Sequence, residues 1–320
     1  MKPIKIAIVG YGKIAEDQHV PSIRASPRFE LVASSSRSGQ GVDRKFTDWR
    51  ELIRTVEGLQ AVAITTPPGP RYEIARECML AGLHCLLEKP PTTGLAEIAD
   101  LGRLAEAQKV SLFTTWHAQH HSTVQAAAEA LAGKRIAKMA IRWHEDVRKW
   151  HPGQKWIWEA GGFGVFDPGI NAFSIATKIF PGGLFVQSAE LSYPENSQTP
   201  IAADIAFASP QADGPLTGSL DWRRSEGEEW TISVETSDGT QVRLEDGGAR
   251  LVLDGAAGTD SGLGEYPDIY RTFVDLIDER RSLVDVAPLR LVADCLLVGS
   301  RKMVEPITAD GATFPPGHYS

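Results

Sequence analysis

The sequence predicts an α/β protein with an N-terminal parallel sheet of the Rossmann type and a second α/β domain with a largely antiparallel, open sheet. Three observations lead to this prediction: apolar runs that alternate with helical patterns up to about residue 118, a Gly-rich turn after the first run, and strands with polar alternation farther along the chain. A chain of 320 residues is also too long for one ordinary hydrophobic core. We therefore expect two domains, residues 1–118 and 119–320.

The first domain is expected to carry helices on both faces of its sheet. Continuous apolar runs predict buried strands at Lys5–Gly10, Phe29–Ser36, Leu59–Pro67, His84–Pro90 and Val110–His117. Helical patterns lie between most of them, at Ile14–Ala25, Thr47–Val56, Pro70–Gly82 and Leu95–Gln108. Strands that are apolar throughout and separated by helices indicate a parallel sheet that is covered on both sides.

The second domain is expected to be mostly antiparallel. After a helix at Ser122–Leu131, strands with polar alternation are predicted at Lys138–Asp146, Phe185–Tyr193, Thr199–Ala208, Pro215–Arg224, Glu229–Thr236 and Gln241–Leu244. Such alternation is typical of a sheet with one face in solvent. Two further helical patterns, Pro267–Arg281 and Pro288–Met303, follow.

The composition argues against several kinds of partner. A formal net charge of −8 disfavours general binding to nucleic acid or to an anionic membrane. No stretch approaches the roughly 18 consecutive apolar residues of a membrane span, and the N-terminal apolar run is too short for a signal peptide. The three cysteines, Cys78, Cys85 and Cys295, have no metal-like spacing. We expect a cytoplasmic monomer or homodimer without a metal site.

A Gly-rich turn follows the first predicted strand and opens a helix. Gly10, Gly12 and Ala15 are its small residues, with Lys13 and Ile14 between them. In a dinucleotide fold the first Gly makes the tight turn, the second lets the backbone approach a pyrophosphate, and the third position allows close packing of helix on strand. The free N–H groups of the helix then bind phosphate. A turn that needs glycines for structural reasons alone is the alternative.

The end of the second strand indicates which dinucleotide is used. A carboxylate there usually binds the adenosine ribose 2′-hydroxyl, but this chain has Ser36 and Arg37. Because a hydroxyl and a guanidinium suit a 2′-phosphate, NADP is favoured, with NAD possible. A solvated loop without a ligand is the alternative interpretation.

Two short segments have residues suited to catalysis. Glu88-Lys89-Pro90 closes the fourth strand at the end where open α/β sheets bind ligands, so Lys89 could donate to a substrate oxygen. Asp167 and Asn171 are four residues apart and can share one face of a helical turn. The carboxylate could then accept a hydroxyl proton while the amide holds the hydroxyl in line. An N-cap is the plain alternative for Asp167.

The region between residues 116 and 158 concentrates aromatic and polar side chains, with five of the eight Trp and five of the eight His. Aromatic faces beside polar groups suit a sugar, whose C–H faces are apolar and whose edges carry hydroxyls. A structural Trp-rich loop or a subunit interface would have the same composition. The uneven spacing of His and carboxylates, without Cys, argues against zinc.

Several motifs, taken in chain order, resemble the glucose–fructose oxidoreductase/inositol dehydrogenase (Gfo/Idh/MocA) family: Gly10–Ala15, Glu88–Pro90 and Asp167–Asn171. Longer runs resemble the branch of bacterial L-arabinose 1-dehydrogenases and D-galactose 1-dehydrogenases: Asp17–His19, Thr115–His117, Glu145–Gln154, Trp156–Glu159, Gln198–Ala203, Asp221–Arg223 and Pro288–Asp294. The resemblance covers nearly the whole chain. It implies an NAD(P)-binding domain over residues 1–118 and a substrate-binding domain over 119–320, whose open sheet forms the substrate floor and often a dimer face.

The resemblance also implies an activity and its residues. The activity is NAD(P)-linked oxidation of the C1 hydroxyl of a free aldose, L-arabinose, D-galactose or D-fucose, to the lactone. By position, the catalytic residues are Lys89, Asp167 and Asn171. Cofactor contacts are implied for Gly10, Gly12, Lys13, Ile14, Ala15, Ser36, Arg37, Thr66, Pro67, Glu88 and Lys89. Sugar contacts are implied for His117, Glu145, Trp150, His151 and Trp230.

Two departures from the family pattern leave questions open. Asn171 stands where many members have a His, which favours Asp167 or Lys89 as proton acceptor without deciding between them. Ser38 stands where the arabinose branch has a phosphate-binding His, which leaves the strength of the NADP preference open. The alternative functions are another sugar or polyol dehydrogenase of the same family and a sugar- or cofactor-sensing regulator without turnover.

Overall fold

The computed structural model describes residues 2–260, 262–309 and 312–313. The chain forms two compact units. The first comprises Met1–His120 and Leu263–Val286, and the second His121–Gly262 and Ala287–Ser320. The division therefore differs from the expected boundary after residue 118, because a later segment returns to the first unit.

The first unit is built on a parallel sheet. Its strands are β1 (Ile4–Val9), β2 (Phe29–Ser35), β3 (Lys45–Phe46), β4 (Ala61–Ile64), β5 (His84–Leu87) and β6 (Leu112–Thr114). Its helices up to this point are α1 (Val20–Ala25), α2 (Trp49–Thr55), α3 (Arg71–Leu80) and α4 (Leu95–Gln108). The strand order is β3-β2-β1-β4-β5-β6, and every pair is parallel. The order reverses between β1 and β4, which is where open sheets of this type bind ligands. The predicted Rossmann sheet is confirmed.

A π-helical turn, Ala15–His19, lies between the Gly-rich turn and α1. Pro21 follows directly in α1 and has no N–H to donate, so it interrupts the regular hydrogen-bond ladder of the helix. The wider turn leaves His19 completely buried. A polar ring in this position needs internal hydrogen-bond partners, which are described below.

The second unit is built on a nine-stranded mixed sheet. Its first strands are β7 (Ile136–His144), β8 (Phe185–Pro194), β9 (Ala202–Ala208), β10 (Leu216–Asp221), β11 (Glu229–Thr236), β12 (Gln241–Glu245), β13 (Arg250–Leu253) and β14 (Ala256–Thr259). Its first helices are α5 (Ser122–Leu131), α6 (Val147–Trp150) and α7 (Phe166–Ile179). Along β7, Ile141 and Trp143 are buried under the helices while Lys138 and Arg142 are exposed on the other face. The predicted open sheet is therefore confirmed.

The helix α8 (Glu265–Asp278) belongs to the first unit, although it follows the second sheet in sequence. Tyr266, Ile269, Tyr270 and Phe273 from this helix join the hydrophobic core beneath β1 and α1. The apolar periodicity of the segment predicts a helix but carries no information about which sheet the helix covers.

The chain ends its second unit with α9 (Ala287–Val298), β15 (Ser300–Val304) and a short hairpin of β16 (Thr308–Ala309) and β17 (Ala312–Thr313). The predicted helix Pro288–Met303 is thus wrong in its last turn, where Ser300–Val304 pairs in parallel with β8. The completed sheet order is β14-β13-β12-β11-β7-β10-β9-β8-β15, and only β7–β10 and β8–β15 are parallel among the described strand pairs.

Candidate active site

The Gly-rich turn after β1 has the backbone that a phosphate cradle requires. Gly10 has φ of +100°, and a Cβ atom there would lie 2.5 Å from the backbone nitrogen of Thr66, at the end of β4. A Cβ atom on Gly12 would meet no atom within 4 Å, so the space above this residue is open. Ala15 is fully buried and starts the helix close to the sheet. The turn thus has one position that requires glycine and an open approach to the helix N-terminus. Both features fit the binding of a pyrophosphate.

The predicted cofactor residues around this turn differ in their exposure and in their contacts with other residues. The hydroxyl of Thr66 is buried and has no hydrogen-bond partner among the described residues, and Pro67 follows it at the surface. Lys13 is exposed and forms an ion pair with Asp17, one helical turn ahead, and Ile14 is also exposed beside it. A buried donor without a protein partner fits a site that receives a polar ligand.

The loop after β2 presents Ser36 and Arg37, as the sequence predicts. The Ser36 hydroxyl lies 2.9 Å from that of Ser38 and donates to the carbonyl of Gln40 at 3.0 Å, which closes the loop on itself. Arg37 is exposed, and in the described part of the chain no ion pair of its guanidinium occurs. The loop therefore carries hydroxyl groups and one exposed cation, without a carboxylate, and this composition fits a phosphate better than a ribose diol.

Glu88 is a buried carboxylate that organises the end of β5. Its Oε1 lies 3.0 Å from Nε2 of His19 and accepts a hydrogen bond from the Tyr266 hydroxyl at 2.7 Å. The other ring nitrogen of His19 lies 2.7 Å from the Tyr270 hydroxyl. Oε2 of Glu88 accepts the backbone N–H of Lys89 at 2.8 Å. Burial alone would raise the pKa of Glu88, but the hydrogen bond and charge of His19 and the Tyr266 hydroxyl outweigh it and lower this pKa to about 2.

The half-buried Lys89 therefore leaves the sheet from a fixed backbone position. The peptide bond between Lys89 and Pro90 is cis. The guanidinium of buried Arg71 donates to the carbonyls of Glu88 and Pro90 and to that of Thr66. The ends of β4 and β5 are thus tied together beneath Lys89. Glu88 thus engages buried residues of the first unit with its side chain, while Lys89 extends from the strand end that Glu88 fixes.

His117 also lies in the first unit, although it is one of the predicted sugar residues. Its Nδ1 is 2.8 Å from Oε1 of Glu265, and its ring stacks on Tyr266 with centroids 6.0 Å apart and an interplanar angle of 16°. The ring is held on one edge by a carboxylate and on one face by a phenol. His117 thereby connects to Glu88 through Tyr266.

In the second unit, Asp167 and Asn171 lie one turn apart on α7, as predicted. Asp167 is in the first turn of the helix, and the N-cap is Val165, so the N-cap interpretation of Asp167 is wrong. The carboxylate is buried beside the N-terminal, positive end of the helix dipole. His151 reaches it from a separate loop, with Nε2 at 3.3 Å from Oδ2 of Asp167. These three side chains provide a carboxylate, an amide and an imidazole.

A buried carboxylate also orders the aromatic side chains of the second unit. The two oxygens of Glu145 accept the indole N–H groups of Trp222 and Trp230, each at 2.9 Å. The His151 ring packs on Trp222 at 5.2 Å, and Trp150 packs on Trp230 at 5.6 Å. Both indoles are thus fixed by hydrogen bonds at one edge, which leaves their faces to pack against other rings.

Trp150 is the exposed member of this cluster, with 45% of its surface in solvent. Its indole N–H donates to Glu228 at 2.6 Å, and the Lys149 ammonium lies 4.8 Å from the centre of its ring. An exposed indole with a fixed orientation is suited to stacking on a sugar face.

Sequence reasoning assigned no site function to three residues that the structure places at the centre of these networks: His19, Trp222 and Tyr266. His19 and Trp222 lie inside the motifs Asp17–His19 and Asp221–Arg223, which carry the family resemblance. A buried His next to a dinucleotide turn was the available signal. Nothing in the local sequence indicates that Tyr266 reaches Glu88, because the two are 178 residues apart.

The described residues contain neither a metal centre nor a membrane-spanning helix. In residues 2–260, 262–309 and 312–313 no group of three or more His, Cys, Asp or Glu side chains is arranged to hold a metal ion. In the same part of the chain no helix has the length and apolar character that crossing a bilayer requires.

The Rossmann fold and the Gly-rich turn after β1 define an oxidoreductase with a dinucleotide-binding unit. Comparison with known proteins identifies its family. Residues 4–116 match the GFO_IDH_MocA model, described as an oxidoreductase family with an NAD-binding Rossmann fold. Galactose 1-dehydrogenase of Pseudomonas fluorescens is 44% identical over 310 residues, which cover 95% of this chain and 99% of that protein. The chain belongs to the Gfo/Idh/MocA family, and the resemblance found in the sequence is confirmed.

Solved structures agree with this assignment. The crystal structure of D-galactose-1-dehydrogenase from Rhizobium etli matches with a TM-score of 0.91 and 46% identity, and the match covers 96% of this chain and 99% of that one. A 3-ketoreductase of Actinomadura kijaniata in complex with NADP and TDP-benzene matches with a TM-score of 0.78 at 17% identity, covering 94% and 99% of the two chains. The second similarity is one of fold alone.

Proposed function

We propose that this protein is an NADP-linked aldose 1-dehydrogenase that oxidises the C1 hydroxyl of a pyranose to the aldono-lactone. The observation that carries the proposal is the 44% identity to galactose 1-dehydrogenase over nearly the whole of both chains. The substrates are sugars with the hydroxyl arrangement of D-galactose, which L-arabinose and D-fucose share. These three sugars differ at C5, so the space near that carbon sets the preference among them.

The cofactor preference rests on the loop after β2. Ser36 and Arg37 offer a hydroxyl and a cation where a ribose-binding carboxylate would otherwise stand. NADP is therefore the preferred cofactor and NAD the weaker one. The open backbone at Gly12 and the buried hydroxyl of Thr66 supply contacts that both dinucleotides share.

The chemistry follows from the three polar residues that the family resemblance assigns to catalysis. A nicotinamide cofactor held at the Gly-rich turn would supply the acceptor for the hydride from C1. Asp167, whose carboxylate is buried in the first turn of α7, accepts the proton of the C1 hydroxyl. Asn171, one turn along α7, holds the same hydroxyl in line, and Lys89 stabilises negative charge as it develops on the sugar oxygen.

Sugar binding rests on the tryptophan cluster. Trp230 and Trp150 offer indole faces to the apolar side of the ring, and Glu145 fixes Trp230 through its N–H. The Glu145 carboxylate, fixed by the two indoles, is the acidic group of this cluster that we assign to the sugar. His117 and His151 add polar groups with fixed orientation.

A substrate panel tests the proposal. The purified protein is mixed with NADP or NAD and with D-galactose, L-arabinose, D-fucose, D-glucose, D-xylose or myo-inositol, and the absorbance of the reduced nicotinamide is followed. We expect the first three sugars with NADP to give the highest kcat/KM. Preference for glucose, xylose or inositol would identify a sibling dehydrogenase. Cofactor binding without turnover on any sugar or polyol would favour the sensing regulator.

A further inference from the structure

A buried proton acceptor must release its proton before the next turnover. The Asp167 side chain is only 7% exposed, and Asn171 beside it is an amide that cannot take up a proton at ordinary pH. A carboxylate in this position therefore needs a neighbour that can be protonated and that lies closer to solvent.

His151 meets both conditions. Its Nε2 lies 3.3 Å from Oδ2 of Asp167, and its side chain is 18% exposed. The imidazole comes from the loop after α6, not from α7, and its backbone N–H donates to the carbonyl of Val147 at 2.8 Å. The ring thus lies between the buried carboxylate and the surface of the second unit.

The neighbours of His151 also fix which ring nitrogen carries the proton. Gln154 Oε1 lies 3.3 Å from Nδ1 of His151 and accepts the indole N–H of Trp156 at 3.1 Å. An indole nitrogen only donates, so the amide atom at this point is the oxygen. When Asp167 holds the substrate proton, Nδ1 of a neutral His151 therefore carries the hydrogen, and the lone pair of Nε2 accepts from the carboxyl group.

Asp167, from α7, is a charged group that faces the ring, with Oδ2 at 3.3 Å from Nε2. Gln154 on the same loop and Trp222 after β10 are uncharged neighbours. Glu145 lies on the far edge of the Trp222 indole, where it accepts the N–H. The 3.3 Å contact therefore links the protonation of His151 to that of Asp167.

We propose that Asp167 and His151 form a proton relay, an inference that rests on the proposed function. The O–H and C1–H bonds break as C1=O forms: the proton goes to Asp167, and a bound nicotinamide cofactor would take the hydride. The proton then passes from Asp167 to Nε2 of His151, and the proton on Nδ1 passes to solvent water. Exchange with water returns the imidazole to its Nδ1–H form before the next turnover. In this scheme His151 replaces the titratable group that Asn171 cannot provide, and it acts through Asp167.

Chemical rescue tests the relay. We expect His151→Ala to lower kcat about tenfold or more, beyond any rise in the sugar KM from its lost sugar contact, and free imidazole added to the buffer to restore kcat in proportion to its concentration. His151→Gln should be slow in the same way because it keeps a hydrogen bond but carries no proton. His144→Gln is the matched control, since His144 contacts Ser219 and Arg224 instead. A slow His151→Ala enzyme that imidazole does not restore, or one that loses sugar affinity instead, would overturn the relay.

A readout without turnover separates failure of the relay from failure of the proposed function. The titration of the His151 imidazole is followed by NMR in the wild type and in Asp167→Asn. Loss of the carboxylate should lower the titration midpoint of His151 and leave that of His144 unchanged. An unchanged midpoint for His151 contradicts the coupling, whatever sugar the enzyme uses.

Discussion

Glu88 and His19 form a hydrogen-bonded pair in the first unit, with Oε1 and Nε2 3.0 Å apart and both side chains buried. The pair lies beneath the backbone of Lys89, whose N–H donates to the other oxygen of Glu88. The sequence motif Glu-Lys-Pro thus joins two functions. One residue provides the ammonium group, and the residue before it fixes the backbone from which that group extends.

The ionised state of Glu88 should stabilise the fold in a pH-dependent way. Its pKa is lowered from an ordinary value of 4.5 to about 2, so the stabilisation is complete above about pH 4.5 and is lost as the pH falls towards 2. Glu88→Gln should therefore lower the free energy of unfolding by a few kcal/mol at neutral pH and by progressively less in acid. Urea unfolding across this range measures the difference. Glu106→Gln, at an exposed site on α4, should change little, and a pH-independent loss in Glu88→Gln would contradict the ionic explanation.

Arg37 should select the phosphate of NADP. We expect Arg37→Ala to weaken NADP by roughly 1–3 kcal/mol, the usual size of a charge-assisted contact, and to leave NAD nearly unchanged. Dissociation constants measured by fluorescence titration with both cofactors give the comparison. Arg54→Ala, at an exposed site near the end of α2, serves as the control. Equal weakening of both cofactors would show that Arg37 is not a phosphate ligand.

Lys89 should act on the chemical step. Lys89→Met keeps the length and apolar stem of the side chain but removes the charge, so we expect kcat to fall by about a hundredfold or more. Cofactor affinity should survive, since the Gly-rich turn is unchanged. Lys2→Met, on the surface, is the control. Near wild-type turnover in a folded Lys89→Met protein would show that Lys89 has a structural role and no catalytic one.

Glu145 should determine sugar affinity through the two indoles it holds. In Glu145→Gln one acceptor oxygen is replaced by an NH₂ donor, so either Trp222 or Trp230 loses its partner. An unpaired buried donor costs about 1–3 kcal/mol, and we expect the sugar KM to rise on the order of tenfold with a smaller change in kcat. Glu235→Gln, at an exposed site on β11, is the matched control. A large fall in kcat at unchanged KM would instead place Glu145 in the chemical step.

The parts of the site that were predictable from sequence are those encoded within a few residues. The Gly10–Ala15 turn and the pairing of Asp167 with Asn171 follow from local spacing and were placed correctly on their elements. The partners of Glu145 were not predictable, because Trp222 and Trp230 come from positions 77 and 85 residues away. The same holds for α8, whose amphipathic pattern gives a helix but not the sheet that it covers. Long-range pairing is set by the topology of the whole chain, which periodicity does not encode.

The last prediction concerns the proton and the product. Hydride leaves C1 only if the C1 hydroxyl loses its proton to a nearby base, and Asp167 is the buried carboxylate that shares a helix face with Asn171. Asp167→Asn should therefore lower kcat by about 10²–10⁴, the usual contribution of a general base. It should also flatten the acidic limb of the pH–rate profile, because the titrating group is gone. Asp204→Asn, at an exposed site on β9, should behave as the wild type does.

The same experiment decides between Asp167 and the other candidate bases. An unchanged acidic limb in Asp167→Asn would transfer the base function to Lys89 or to His151. If the ring form of the sugar is the substrate, the lactone must appear before the free acid, since the acid forms only when water opens the lactone. Trapping the early product with hydroxylamine, which reacts with the lactone and not with the acid, should give a hydroxamate in the wild type. Prompt release of acid without a trapped lactone would mean that the open-chain aldehyde is oxidised instead, and the proton transfer from a ring hydroxyl to Asp167 would have to be abandoned.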